Sequence, residues 1–519
     1  MAQLHTNNQG AGGGPPMRVT SPAYAPYSDV RWVDFNIRFE LLDETARTAA
    51  VPTVNGQEDC SQLDQLTDEI ETMSEKWATL ELNAWGLDGK HKIMPDDVTG
   101  LQTGWWGDVL SDENGDFASP PTLSFYFGGA PIDTIGFMLY FDDTADSYPA
   151  SIRVTTYDAD QETIIQQETF TNNKHNCVID MPVQGYYKVK FEFLSTSKPH
   201  RRVRLAECLF GIVQNFDGDS LETVYITYGA DLISEAFPSR QLNFTFENLD
   251  KKYNFINPNG LYAYLQQGQD IYAKAIINGE KVDMGVFEYT AAQASDDEVT
   301  GRITANDIVL LSLESVFNGG SNTTVTLQNA VNAVLAGIDI ETSLAYPSYQ
   351  VSMAIPQGTT RREALRMLAQ AARCSVWIDR NGVLQIRPLD VSETADDELN
   401  PDNMYSMGGI GVSEPVDCVE LTVRNEYAET ETLYTAGAGR RVKAVENPCA
   451  HNGQAVADWI LAQCNRRIRY DNQNRCNPAV EIGDTLKIYD AYGENRNAVV
   501  IGQDISFDGS LSAKTKAVG

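Results

Sequence analysis

Basic residues are scarce in this chain. Across 519 residues, 39 Lys and Arg stand against 72 Asp and Glu, with only five histidines, for a formal charge of −33. A surface this acidic repels phosphate and anionic lipid, which argues against stable nucleic-acid binding and peripheral membrane attachment. Long apolar runs are missing too. No stretch approaches the roughly 18 consecutive apolar residues of a membrane helix, so no membrane insertion is expected. The opening Met1-Ala2-Gln3-Leu4-His5 leads into a Gly/Pro-rich run, without the basic start and apolar centre of a secretory signal. Eight cysteines are spread without a CxxC pair. That is too sparse for a disulfide scaffold, and the expectation is buried free thiols in a chain made in a reducing cytoplasm.

Catalytic signatures are missing as well. There is no GxGxxG, phosphate loop, HExxH or GxSxG, and His5, His91, His175, His200 and His451 fall near no serine or cysteine at a diagnostic spacing. Cys449, His451, Cys464 and Cys476 match no standard zinc spacing. Asp112, Asn114 and Asp116 follow the first three positions of a calcium loop, but the glycine is misplaced and position 12 is Leu123. They are a weak calcium candidate, read first as a turn with capping side chains. Neither a metal nor a cofactor is expected. Pairs of carboxylates suited to glycoside hydrolysis are uninformative, because 72 acids guarantee accidental pairs.

What is present is a foldable core. Apolar residues make up 42% and charged residues 21%, which suits a multidomain protein of three to four domains at about 100–200 residues each. Residues 1–29, with Gly12-Gly13-Gly14-Pro15-Pro16, read as a flexible arm that orders against a partner. Val33, Phe35, Ile37, Phe39 and Leu41 alternate with polar residues as a half-buried strand, and residues 57–76 read as an acidic helix around Leu63, Leu66, Ile70 and Met73. From 77 to 211 short strands separated by Asp/Asn/Gly turns predict a β-sandwich. Residues 216–316 are again β, with Asn278-Gly279 as a hairpin turn. Residues 317–410 bring helices, one behind a Thr360…Glu363 capping box, and 411–519 return to β around one helix near Ala455 to Ile468.

Two constellations say more. The first runs Ala78-Thr79-Leu80-Glu81, Trp85-Gly86-Leu87-Asp88-Gly89, Gly104-Trp105-Trp106, Pro120-Pro121-Thr122-Leu123, Leu139-Tyr140-Phe141 and Arg202-Val203-Arg204-Leu205-Ala206. The Trp residues read either as core and loop packing or as a platform on which sugar rings stack, with nearby Asp and Lys bonding hydroxyls. Trp85, Asp88, Lys90, Trp105, Trp106 and Asp108 form the candidate glycan-facing set. This segment, about 30–215, resembles the discoidin-like (galactose-binding-like) jelly-roll sandwich of tail proteins from phages and prophages of Gram-positive bacteria. The resemblance implies a module that binds host cell-wall glycan or a neighbouring protein.

The second constellation is Ile355-Pro356-Gln357-Gly358-Thr359-Thr360, Cys374 to Ile378, Asp379-Arg380-Asn381-Gly382, Glu481-Ile482-Gly483-Asp484 and the closing Ile505-Ser506-Phe507-Asp508-Gly509-Ser510-Leu511. Over about 216–519 it resembles the tail hub of phage baseplates, shared with the N-terminal part of tail-associated lysins. The resemblance implies a mainly β fold: two barrel-like domains, 216–316 and 411–519, with an α/β piece between them. It implies a homotrimer whose six barrels match the six-fold tail tube, joining tube and distal tail proteins to a tape measure or a spike or fibre protein around a lumen for DNA. The location implied is the virion tail tip, assembled in the host cytoplasm. The chain stops at Gly519 just after the closing motif, so lytic activity is expected to reside elsewhere, and no enzyme is expected here. The alternatives are a glycan-cleaving tail enzyme and a carbohydrate-binding adhesin.

Overall fold

A computed structural model of the chain describes residues 24–519 apart from 69, 80, 83, 85–88, 90, 94–98, 219, 255–256, 258–259, 262–263, 266, 295–298, 309, 407–408, 491 and 493–494. The fold is mainly β and multidomain. It divides into two compact units, one of 40–214 with 263–265, the other comprising the remaining chain.

The 40–214 unit is a sandwich. One antiparallel sheet runs in the order Val51–Val54, Thr122–Tyr126, Lys188–Thr196, Pro149–Tyr157, Ile164–Thr171. The other places Ile132–Phe141 between Asn176–Tyr186 and Arg204–Phe216. Period-2 alternation turns Leu123, Phe125, Ile152, Val154, Phe191 and Phe193 inward to meet Phe137, Phe141, Ile179 and Phe210 in one core. Edge-to-face ring pairs cross that core: Phe137–Phe191 at 5.3 Å, Phe125–Phe210 at 5.1 Å and Phe141–Phe193 at 6.0 Å. Among the described residues of 57–76, the expected acidic helix is reduced to one 3-10 turn, Leu63–Thr67. Gln62 and Gln65 there donate side-chain bonds to the carbonyl of Leu101 instead of continuing a helix.

In the other unit, Val33–Phe39 pairs antiparallel with Ile271–Ile277, and the sheet continues through Glu280–Ala294, Thr300–Asp307, Gln241–Glu247 and Leu221–Gly229. Asn278 (φ 50°) and Gly279 (φ 87°) make the tight turn between two of these strands, both in the left-handed region that such a turn requires. Leu221–Gly229 then pairs on its other side with Asn495–Phe507, Val224 opposite Phe507 through Gly229 opposite Gly502. That strand leads on to Leu511–Val518, Ile468–Asn474 and Gly409–Val412. The two β segments are therefore hydrogen-bonded into a single sheet.

Between them lies an α/β module: helices Leu327–Val334 and Arg361–Ala371 pack on the Ser375–Ile378/Leu384–Arg387 hairpin. Thr360 caps its helix by accepting from the Glu363 amide at 3.2 Å. The 411–519 region holds a feature the sequence pattern did not show. Cys418–Asn425, Thr430–Gly437 and Val442–Glu446 form a separate three-stranded sheet backed by the helix Gly453–Cys464, with its own core.

Two buried arginines rivet these pieces. Arg240 donates from Nε to Asp307 Oδ1 at 2.8 Å, and from its terminal nitrogens to the carbonyls of Asp379 at 2.8 Å and Val286 at 3.1 Å. Arg380, paired with Glu481, donates to the carbonyls of Val480 at 2.8 Å and Asp283 at 3.2 Å.

Residues 1–23 of the expected arm lie outside the described residues. Its last part orders against its own chain. Tyr24 donates to Asn477 Oδ1 at 2.6 Å and Tyr27 to Asp397 Oδ2 at 2.7 Å. Arg31 donates to the carbonyls of Cys476 at 3.0 Å and Leu511 at 2.7 Å, while Arg475 reaches back to the carbonyl of Ser28 at 2.7 Å. Burial and the neighbouring Asp397 carboxylate push the Tyr27 phenol well above its ordinary pKa.

Candidate functional site

At the Trp-rich segment the structure decides between the two readings, core packing and sugar platform. Trp105 and Trp106 lie on a two-residue strand antiparallel to Arg204 and Leu205, and both rings are buried, at 0% and 1% exposure. Trp105 packs on Phe193 at 5.6 Å and donates its indole N–H to the carbonyl of Gly56 at 3.1 Å. Trp106 donates to the carbonyl of Thr103 at 3.0 Å and carries the Arg204 guanidinium over its face at 4.8 Å. The reading of these two as a sugar platform is corrected, because their polar edges are satisfied internally and no ring face is open. Trp85, Asp88 and Lys90 lie outside the described residues.

The same constellation instead builds an internal charge network. Arg204 reaches Asp142 at 3.1 Å and Glu81 at 3.4 Å, and both carboxylates are fully buried. Glu81 also accepts from the Thr79 hydroxyl at 2.6 Å and the Arg202 amide at 2.9 Å. Each buried charge thus has a partner, which is the condition for tolerating it in a low-dielectric interior. Sequence reasoning quoted Glu81 and Arg204 but missed their pairing, which joins residues more than a hundred positions apart.

Asp108 is exposed, on a loop held against residues 201–203 by Gly107 N–H to Val203 O and Ser111 N–H to Arg201 O, both 2.9 Å. Its carboxylate lies over Gly56, so closely that a Cβ there would sit 2.2 Å from Oδ1. Val109 and Leu110 follow it into solvent. At the base of the loop, Arg202 bonds Glu58 and the carbonyl of Gly107 at 3.1 Å. Nearby, Asp146 takes two bonds from Arg201, at 2.8 and 3.0 Å, and one from Lys198 at 3.0 Å. These bonds pull its pKa down to about 2.

Asp112 uses Oδ1 to accept the amides of Asn114 at 2.7 Å and Asp116 at 2.9 Å, which holds its carboxyl below the ordinary range. Those are capping bonds of a turn, and no group of three or more His, Cys, Asp and Glu is placed to hold a metal among the described residues. Seven of the eight cysteines are buried and Cys464 half-buried, none of them bonded to another.

The closing run has a definite place. Residues 505–511 form the hairpin between Asn495–Phe507 and Leu511–Val518, turning at Gly509 (φ 91°) with Ser510 Oγ bonded to Asp508 Oδ1 at 2.8 Å. Its Phe507 packs on Phe35 at 5.4 Å. Among the described residues, no helix is long and apolar enough to cross a membrane.

No protein family and no curated protein matches this sequence. Among solved structures, the chain is similar to a tail protein from Neisseria meningitidis (14% identity, TM-score 0.43, covering 59% of this chain and 94% of that one). It is similar also to a 43 kDa tail protein of prophage MuSo2 from Shewanella oneidensis (18% identity, TM-score 0.42, 59% and 94%). A family 32 carbohydrate-binding module of NanJ from C. perfringens, solved with galactose, matches at 10% identity and TM-score 0.22, covering 34% of this chain and 99% of the module.

Proposed function

We propose that the protein is a structural component of a phage or phage-like tail tip: a baseplate hub that assembles as a homotrimeric ring, joins the tail tube to a spike or fibre, and leaves a lumen for DNA. The observation that carries this reading is the strand pairing of Leu221–Gly229 with Asn495–Phe507. It fuses two β segments separated by an α/β module into one continuous sheet, with the hub-like closing run as its hairpin. The role is architectural, not catalytic. The buried carboxylates Glu81, Asp142, Asp307 and Glu481 each face an arginine, an arrangement suited to cementing structure. In the sandwich, the loop carrying Asp108 is the proposed glycan-facing or partner-facing edge, with Trp105 and Trp106 as its packed floor.

Light scattering followed by negative-stain imaging of the purified chain tests the ring. The expected species has three times the 57.3 kDa protomer mass and a central hole. A monomer that persists at high concentration and in the presence of tail-tube protein refutes the homotrimer.

A further inference from the structure

Asparagine followed by glycine carries a reaction of its own. The glycine amide nitrogen can attack the asparagine side-chain carbon, because glycine has no Cβ to hinder the approach. Asn55, Asn114, Asn259, Asn278, Asn318, Asn381 and Asn452 each precede a glycine. Asn259 lies outside the described residues, and the fold treats the other pairs unequally.

In all but one of them a reacting group is tied up. Asn55 donates from Nδ2 to the carbonyl of Pro120 at 3.1 Å and accepts the Thr122 amide on Oδ1 at 2.9 Å. Asn278 accepts the Trp32 amide at 2.9 Å, and Asn452 caps its helix by accepting the Ala455 amide at 3.3 Å. At Asn114 and Asn381 the nucleophile is held instead. Gly115 N–H donates to the carbonyl of Asp112 and Gly382 N–H to that of Asp379, both at 3.1 Å, and both glycines are buried. Asn318 and Gly319 differ on every count. Both are exposed and lie outside any helix or strand. Among the described residues, neither the Asn318 side chain nor the Gly319 amide has a hydrogen-bond partner.

We propose that Asn318-Gly319 is a self-modifying site, where the chain converts its own side-chain amide to a carboxylate. Hydroxide takes the Gly319 amide proton, and the nitrogen bonds to Asn318 Cγ. The Cγ–Nδ2 bond then breaks, and the nitrogen leaves as ammonia with a proton from water, closing a cyclic imide. Water adds to one imide carbonyl and opens the ring. One opening gives an ordinary aspartyl residue. The other gives an isoaspartyl residue, whose backbone runs through Cγ and is one methylene longer. No oxidant or reductant is needed. The segment is anchored on both sides, by Phe317 N–H to the carbonyl of Thr359 and Ser321 N–H to that of Met353, both at 2.8 Å. Between these anchors a Cβ on Gly320 would lie 2.1 Å from the Ile355 carbonyl oxygen and 2.3 Å from the Tyr427 hydroxyl. A longer backbone has no room there, so the isoaspartyl product should pull the Ser321 amide from its partner. The site does not depend on the tail-tip role.

The test is to age the full chain at mildly alkaline pH and map its peptides by mass spectrometry. The readout is the mass gain of an amide becoming an acid at each Asn-Gly pair. Asn318 should convert about fivefold faster than Asn278 or Asn452, where a hydrogen bond must first break, and faster still than Asn55, where two must. It should also outpace Asn114 and Asn381, and its rate should rise with pH. An isoaspartyl methyltransferase with a labelled methyl donor should mark the same peptide. Asn318→Gln should abolish the label there, and Gly319→Val should slow it. In denaturant the pairs should approach a common rate, which separates selection by the fold from selection by sequence. Hydrogen exchange at Ser321 should quicken in the aged chain and not in aged Asn318→Gln. No conversion at Asn318, equal rates across the pairs of the folded chain, or the same ranking in denaturant would overturn the proposal; unchanged exchange at Ser321 in fully converted protein would overturn its structural consequence.

Discussion

Replacing Arg240 by methionine is the sharpest test of how the larger unit is held together. Asp307 is fully buried, and Arg240 supplies both its cation and two of its hydrogen bonds, from Nε at 2.8 Å and from the backbone amide at 2.7 Å. Burial raises the Asp307 pKa while Arg240 pulls it down. Without the guanidinium, the carboxylate keeps its desolvation cost and loses its compensation, and the carbonyls of Asp379 and Val286 lose a donor. Breaking one side of a buried pair costs about 3–5 kcal/mol. The pH dependence has a definite sign. A carboxyl whose folded pKa is raised is better tolerated in its neutral form, so the penalty in Arg240→Met should be small at acidic pH. It should grow as pH rises through the folded pKa of Asp307. A chain of two units need not unfold in one step, so the assay is amide hydrogen exchange along Thr300–Asp307 rather than global melting. Adding Asp307→Asn removes the buried charge and should recover a large part of the lost protection. If the single and double variants exchange equally fast at neutral pH, an uncompensated charge is not the cause and the riveting argument fails.

Other perturbations probe other links. Thr360→Ala removes the cap of the Arg361–Ala371 helix and should cost about 1 kcal/mol, seen as faster exchange of its first-turn amides. Gly285→Ala should be severe for its size, because φ is +131° and the new Cβ would lie 2.4 Å from an Arg240 nitrogen; expression and exchange of Glu280–Ala294 would show it. Asp146, with its pKa lowered to about 2 by Arg201 and Lys198, contributes stability that is present above its ordinary pKa of 3.8 and lost as pH falls toward 2. Asp146→Asn should therefore cost less than about 1 kcal/mol at neutral pH, given partial exposure, and nothing measurable at pH 2, in denaturant titrations of the sandwich.

Much of the β architecture was legible because its signals are local. Val33 to Leu41 alternate and form a strand, Asn278-Gly279 turns a hairpin, and Thr360 caps a helix at the position its spacing predicts. The misreadings came where long-range partners decide. Residues 57–76 have helical apolar spacing, yet Gln62 and Gln65 spend their side chains on the 101–104 segment and only one turn survives. The helix expected near Ala455 to Ile468 is present as Gly453–Cys464, but the separate 418–446 sheet is not legible, because nothing local separates strands of one sheet from strands of the next.

The Trp residues teach the same lesson about function. An exposed stacking aromatic and a core aromatic have the same sequence appearance; what distinguishes Trp105 and Trp106 is that Gly56 and Thr103 carbonyls take their indole N–H groups. Strand neighbours such as Tyr126, Lys188 and Tyr157 are invisible for the complementary reason. Tyr157 and Tyr126 lie 31 and 62 positions from Lys188 and become its neighbours only through register, since a slip of one residue would turn each of them to the opposite face. In a chain this acidic, the charge total said what the surface as a whole repels. Only the folded chain shows which charges meet, as Arg204 meets Asp142 and Glu81.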